Sequence, residues 1–461
     1  MNTIQVERKH DIPMKRQIYQ KIRDQILKGY LISGAALPST RELAKQLKVS
    51  RNTICEAYEM LITEGFLIHR QGAATRVVPG LNIGTYSKKP TKIIPQEKKQ
   101  YIVDFQTGRP DLRHFPQYLW QQIMYKTTRN FKMKDFGYGD PQGMLTLRRE
   151  ISAWLLRSKG LSVNEQDIFI TSGATHALHL VSNLLGRTGN TIAVEDPCNH
   201  GVLQTIKNTG CSIKAIPVDE EGIKTQQLDK INVRAIYTTP SHQFPLGGIL
   251  PAARRAALIR YAKATASYLV EDDYDSEFRY VGDPIAPLYA MAPSHVIYVG
   301  TFSKVLFPAI RIGYVILPQE LQASWRELRL HTDVQNPPYE QAALAEFLYT
   351  RKFDRHIRTM KKLYKERRKI LLTALKINLG SNWKSWGDAA GLHLAIEFQN
   401  RIFNTDFFNS CRESGIRITP VEYHAIQKGQ HLNKLLLGYG HLETAEIQKG
   451  IEILCNVIKN L

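Results

Sequence analysis

Residues 296–304, VIYVGTFSK, read as an apolar, β-branched strand that runs into hydroxyl residues and a lysine. Such a strand belongs in a buried, mostly parallel sheet. Lys304 at its end can form a Schiff base where its amine is held partly desolvated beside a carbonyl compound. A serine followed by a lysine is too common to carry that reading alone, so the neighbouring segments decide. Seven residues on, Arg311 stands just before the run IGYVIL at 312–317, where a guanidinium can grip a phosphate with two hydrogen bonds. Upstream, SYLVEDDY at 267–274 is a second strand ending in carboxylates, at the edge where open parallel sheets bind ligands. Without context these would be solvated acids in a loop. Further upstream, ITSGATH at 170–176 places a small-residue turn between an apolar strand and a helix that extends to Leu185. The first turn of such a helix offers free N–H groups and a positive dipole end to a phosphate, although turns of this composition are frequent.

Together the four segments supply what a pyridoxal phosphate site needs: a phosphate cradle, an acid for the pyridine nitrogen, a lysine for the aldehyde and an arginine for the phosphate. From Tyr101 onward, short β-branched runs alternate with helical stretches, as in an α/β domain with a mostly parallel sheet.

The whole chain has 461 residues, 43% of them hydrophobic and 23% charged, which fits two or three globular domains rather than a disordered polymer. The net charge is +20, which points to a polyanionic partner. By segment the net is +6 over residues 1–80, +4 over 81–100 and +10 over the remainder. Charge density is therefore highest in the first hundred positions, where a nucleic-acid contact is to be sought. No apolar run approaches the roughly 18 residues of a membrane span, and the first residues lack the apolar core of a signal peptide. The five cysteines have no CxxC spacing, so neither a disulfide framework nor a metal site is expected. These features predict a cytoplasmic protein without membrane contact.

Ile18, Ile22 and Ile26 recur every four positions before Gly29 and mark one face of a helix. Ser39 and Glu42 fit a capping box for a second short helix with Leu43 and Leu47 inward. After a tight turn at Lys48-Val49, Ser50 can cap a third helix whose apolar face is Ile54, Ala57, Tyr58 and Leu61. Two short helices so joined make a helix-turn-helix, and its second helix would present Arg51, Asn52 and Thr53 to base edges in the major groove. Residues 65–70 and 75–78 then read as a hairpin around Gln71-Gly72, a wing beside the reading helix. The alternative is a small helical packing module with a solvated basic face.

The run LPSTRELAKQLKVSRNTICEAYEMLITEGFLIHRQGAATRV at 37–77 resembles the winged-helix domain of GntR-family bacterial regulators, a resemblance that extends over residues 12–78. It implies that Ser39, Arg41, Ser50, Arg51, Thr53 and Gly72 lie at a surface for double-stranded operator DNA. Ala74 stands where the wing of that family often has glycine. From Tyr101 to the end the chain resembles the fold-type-I aminotransferases. That resemblance implies that Lys304 forms the Schiff base, Asp272 pairs with the pyridine nitrogen and Tyr274 faces the phenolic oxygen. It further implies that Gly173, Ala174, Thr175, Thr301, Ser303 and Arg311 hold the phosphate. A winged-helix domain at 1–80, a basic linker at 81–100 broken by Pro90 and Pro95, and an aminotransferase-like domain at 101–461 is the organisation of MocR/GabR-type regulators. In that family the large domain senses an effector and forms a head-to-tail homodimer.

Three departures qualify this expectation. The turn Phe244-Pro245-Leu246-Gly247 lacks the asparagine that aminotransferases place beside the phenolic oxygen, so that contact is missing or moves to His242 or Gln243. After Glu195-Asp196-Pro197 no aromatic follows to stack on the pyridine ring, which leaves His200 as the candidate. Leu436 occupies the position of the arginine that clamps a substrate carboxylate, a contact that leucine cannot make, and Arg109, Arg113 and Arg417 are candidate replacements. The leading expectation is a pyridoxal phosphate-dependent, DNA-binding regulator whose effector is an amine, an amino acid derivative, a dipeptide or pyridoxal phosphate itself. A working aminotransferase with an accessory DNA-binding domain and a regulator with a vestigial pocket remain the alternatives.

Overall fold

The computed structural model describes residues 4–8, 11–81, 100–186, 189–283 and 285–460. The chain divides into two units, Met1–Lys98 and Lys99–Leu461. Apart from its ends, the expected linker lies outside the described residues.

In the first unit, helix α1 (Met14–Leu27) buries Ile18, Ile22 and Ile26, the single stripe that a four-residue spacing dictates. Helix α2 (Thr40–Leu47) starts at Ser39, whose side chain accepts the Glu42 N–H at 3.2 Å, and ends at Lys48 in the left-handed region with φ 52°. Helix α3 (Arg51–Thr63) starts at Ser50, whose Oγ accepts the Thr53 N–H at 3.1 Å. Its inner face, Ile54, Ala57, Tyr58 and Leu61, joins Leu43 and the α1 isoleucines in one core. Strands β1 (Leu67–Ile68) and β2 (Arg76–Val77) pair antiparallel. At the tip between them Gly72 has φ +78° in open space, a backbone state that glycine adopts without a Cβ penalty.

The second unit is built on an eight-stranded sheet. In spatial order its strands are Ile168–Thr171, Gly313–Ile316, Val296–Thr301, Tyr268–Asp273, Ala235–Thr238, Thr191–Asp196, Ser212–Asp219 and Gly222–Ile223. Five central strands, from Val296–Thr301 to Ser212–Asp219, pair in parallel. Gly313–Ile316 runs against both of its neighbours. Alternate residues of these strands enter two different cores: Leu269, Val296 and Tyr298 pack on one face, Val270, Ile297 and Val299 on the other. Both faces are covered, which is why the strands read as unbroken apolar runs. Helix Lys352–Leu379 then leads to a four-stranded antiparallel sheet in which Lys434–Gly438 is central.

Candidate cofactor pocket and nucleic-acid interface

Strand register assembles the pocket. Asp272 lies opposite Val299 and Asp273 opposite Gly300 in the parallel pair, so the carboxylate strand and the lysine strand end together. Gly313 pairs with Thr301 on one side and Thr171 on the other. The chain just before it therefore brings Arg311 beside the small-residue turn, where Nη2 donates to the Ser172 carbonyl at 2.7 Å. The helix after that turn starts at Ala174, two residues earlier than its apolar pattern indicates, and puts Ala174 and Thr175 in its first turn. Gly173 has φ +87°, and a Cβ there would stand 2.9 Å from Arg311 Nη2. Any side chain at this position would push the guanidinium away.

A cavity of about 270 Å³ results. Ala174, Thr175 and Arg311 line one part, Thr301, Ser303 and Lys304 another, and Asp272 and Tyr274 a third. Lys304 donates through Nζ to the Gly108 carbonyl at 2.7 Å, and burial holds its amine below the ordinary lysine range. Asp272 takes a hydrogen bond from Tyr237 Oη at 2.7 Å on Oδ2, while Oδ1 is buried without a partner. Burial pushes this carboxyl up to about 7. Tyr274 Oη lies 3.0 Å from Nδ1 of His242, which also meets Asp275 at 3.0 Å.

His200 requires a correction. Its ring is exposed and stacks on Tyr423 with centroids 5.1 Å apart, and it does not line the cavity. Asn199, one residue earlier, is the one that lines the cavity. No pyridine-stacking role remains for His200. Gln243 is also spent elsewhere: its Nε2 donates to the Pro197 and Phe244 carbonyls at 2.9 and 2.7 Å, and its Oε1 accepts the Leu246 N–H at 3.0 Å. His242 does not line the cavity and adjoins it through Tyr274 and His393.

Leu436 is fully buried among Leu246, Ala395 and Val421. The three candidate replacement arginines are held by other carboxylates: Arg109 and Arg417 meet Asp104 at 3.2 and 3.6 Å, and Arg113 meets Asp111 at 2.9 Å. None of them lines the cavity, whose cations are Lys304 and Arg311.

Sequence reading missed Gly108, Tyr237 and His393. Tyr237 sits on the strand beside Asp272 and could have been found by aligning strand ends. Gly108 and His393 come from segments about 200 and 90 residues away from Lys304 in the chain, and carry no local signal. Burial keeps the His393 imidazole well below its ordinary range, and its Nε2 lies 3.2 Å from the Pro245 carbonyl.

In the winged helix, Arg41, Arg51, Asn52 and Gly72 are exposed. Arg51 Nε donates to Thr40 Oγ1 at 3.4 Å, and Ser50 Oγ lies 2.8 Å from Thr53 Oγ1. Ser39 and Ser50 are thus helix caps as well as surface groups.

Fold and site together define a DNA-binding transcriptional regulator that carries an aminotransferase-like, pyridoxal phosphate-binding unit. Residues 14–77 match the bacterial regulatory proteins of the gntR family, and residues 102–434 match aminotransferase class I and II. The chain is 34% identical over 363 residues to the pyridoxine biosynthesis transcriptional regulator PdxR of Corynebacterium glutamicum, covering 78% of each. It is 28% identical to the probable rhizopine catabolism regulatory protein MocR of Rhizobium meliloti, over 97% of this chain and 94% of that one. Among solved structures, Pyrococcus horikoshii kynurenine aminotransferase superposes with a TM-score of 0.72 at 27% identity, over 79% of this chain and 92% of that one. The chain belongs to the MocR-type helix-turn-helix regulators with an aminotransferase class I and II domain. No helix among the described residues is long and apolar enough to cross a membrane.

The pocket residues fit pyridoxal phosphate on their own chemistry. Asp272 has an orphaned oxygen for a protonated ring nitrogen, the Gly173 turn leaves room beside Arg311, and Lys304 has a desolvated amine.

Proposed function

We propose that the aminotransferase-like unit is a small-molecule sensor and the dimerisation unit of a cytoplasmic regulator, a head-to-tail homodimer whose winged helices read two half-sites of an operator. Pyridoxal phosphate supplies an aldehyde that takes amines and a ring that withdraws electrons. Lys304 is the amine that holds the aldehyde. Its depressed pKa keeps a larger share of it neutral, the form that attacks a carbonyl. Asp272, already satisfied once by Tyr237, turns its free oxygen to the ring nitrogen and keeps a proton there. Gly173, Ala174, Thr175, Thr301, Ser303 and Arg311 take the phosphate. Tyr274, backed by His242 and Asp275, faces the phenolic oxygen. Ser39, Arg41, Ser50, Arg51, Asn52, Thr53 and Gly72 form the DNA surface.

The observation that carries this reading is a pocket that keeps Lys304 and Asp272 while Leu436 fills the place of the carboxylate clamp. Such a pocket captures an amine without orienting an amino acid for repeated turnover. An effector would bias the dimer between states that hold the two half-sites differently. An amine, an amino acid derivative, a dipeptide and pyridoxal phosphate itself are the effector classes this chemistry admits.

The test is footprinting of the protein on its own upstream region, with and without pyridoxal phosphate, across a panel of amines, amino acids and dipeptides. An effector-dependent change in the protected half-sites is expected. Sustained keto-acid production with no sequence-specific protection would instead make the protein a working aminotransferase.

A further inference from the structure

A second, larger cavity of about 570 Å³ opens on the opposite side of the carboxylate strand from the cofactor pocket. Its walls come from the C-terminal end of helix Leu145–Lys159, from Ser276, Glu277, Arg279 and Ile285, and from the first turns of helix Lys352–Leu379. The volume is that of a site for a small organic molecule.

Its charge is unbalanced. Lys159 is committed to Asp273 at 2.7 Å and Glu277 at 3.0 Å, and Arg157 and Arg351 share Asp354 at 3.8 and 3.1 Å. Arg279, Arg358 and Lys361 then line the cavity with no carboxylate within ion-pair distance among the described residues. Asp283 acts on Arg279 only from beyond that distance, and the Arg279 Nε is buried without a hydrogen-bond partner. A buried donor of this kind is costly unless a ligand or solvent satisfies it. The Ser241 hydroxyl stands on the same lining, beside Ser158, whose Oγ donates to the Trp154 carbonyl at 2.8 Å, and Trp154, Ile285 and Ile357 add an apolar side.

We propose that this cavity is a second small-molecule site, for a phosphomonoester with an apolar body. Three uncommitted cations and the Ser241 hydroxyl match a dianionic group with three acceptor oxygens better than a single carboxylate. The apolar wall takes the remainder of the molecule. The site is placed to report on the cofactor pocket. Lys159 in its wall holds Asp273, the neighbour of Asp272, and Ser241 and Ser276 in its wall adjoin His242 and Asp275.

The test is calorimetric titration of the full-length protein, saturated with pyridoxal phosphate, with phenyl phosphate and separately with benzoate and inorganic phosphate. Phenyl phosphate is expected to bind at least ten-fold more tightly than either of the others. Arg358→Gln with Lys361→Gln, and separately Arg279→Gln, should each weaken it ten-fold or more and leave the cofactor's visible absorption unchanged. Lys362→Gln with Lys365→Gln, of equal charge change on the same helix but outside the cavity lining, should leave binding intact. The assignment is overturned if phenyl phosphate does not bind, displaces the cofactor, binds the cavity variants as well as the parent, or is matched by benzoate. Because the readout is binding to cofactor-loaded protein, failure here leaves the operator and effector reading untouched.

Discussion

Tyr237 Oη donates to Asp272 Oδ2 at 2.7 Å and leaves Oδ1 of the same carboxylate buried and unpaired. The pair is half of a recognition unit. The tyrosine fixes the carboxylate's orientation, and the second oxygen, which no described residue bonds, is left for a positively charged partner.

Asp272 accordingly gives the cofactor-free protein a pH signature. Its carboxyl titrates near 7 when folded, because of burial, against an ordinary value near 4 when unfolded. The folded state therefore binds the extra proton between those values. The stabilising contribution is complete below about pH 4 and is lost as the pH rises toward 7. Thermal unfolding of the cofactor-free protein should show this decline, and Asp272→Asn should remove it. A slope of the same size in the variant would assign the effect to another group. Equilibrium dialysis should also show weaker pyridoxal phosphate binding by Asp272→Asn.

Lys304→Ala should abolish covalent capture of the cofactor. After borohydride reduction, peptide mass spectrometry should find the pyridoxyl adduct on the Lys304 peptide of the parent and none in the variant. An adduct of equal yield on another lysine would contradict the pocket assignment.

Arg311→Gln should weaken pyridoxal phosphate binding more than it weakens pyridoxal binding. The phosphate contact is then the part removed, worth about 1.5–3 kcal/mol for a charge-assisted hydrogen bond. Equal losses for both vitamers would show that Arg311 acts only on the fold of the Ser172-Gly173 turn.

Arg51→Ala should cost about 1–3 kcal/mol of operator affinity if the side chain reads a base edge. Unchanged binding at physiological salt would remove α3 as the reading helix. Ser50→Ala separates the cap from the contact: it should lower the stability of the first unit by about 1 kcal/mol through the lost hydrogen bond to the Thr53 N–H.

Ile54→Ala should destabilise the first unit by about 2–5 kcal/mol. Ile54 is fully buried in a core that belongs to that unit alone. Operator binding should fall sharply while the cofactor's visible absorption stays at the parental level. Joint loss of both would show that the two units fold as one.

The sequence by itself determined the helix faces, the caps and the buried strands. Ile18, Ile22 and Ile26, the Ser39 and Ser50 caps and the run at 296–304 are set by spacing and short-range hydrogen bonding, which act within a few residues. It also marked Lys304, Asp272 and Arg311, since a strand end or a helix start exposes whatever residue stands there. Only the tertiary structure decided which neighbours those residues meet. Tyr237 reaches Asp272 through strand order, Gly108 reaches Lys304 from about 200 residues away, and Asn199 rather than His200 borders the cavity. Which strands lie side by side is settled by packing across the whole sheet, and residues so far apart in the chain carry no local signal of their meeting.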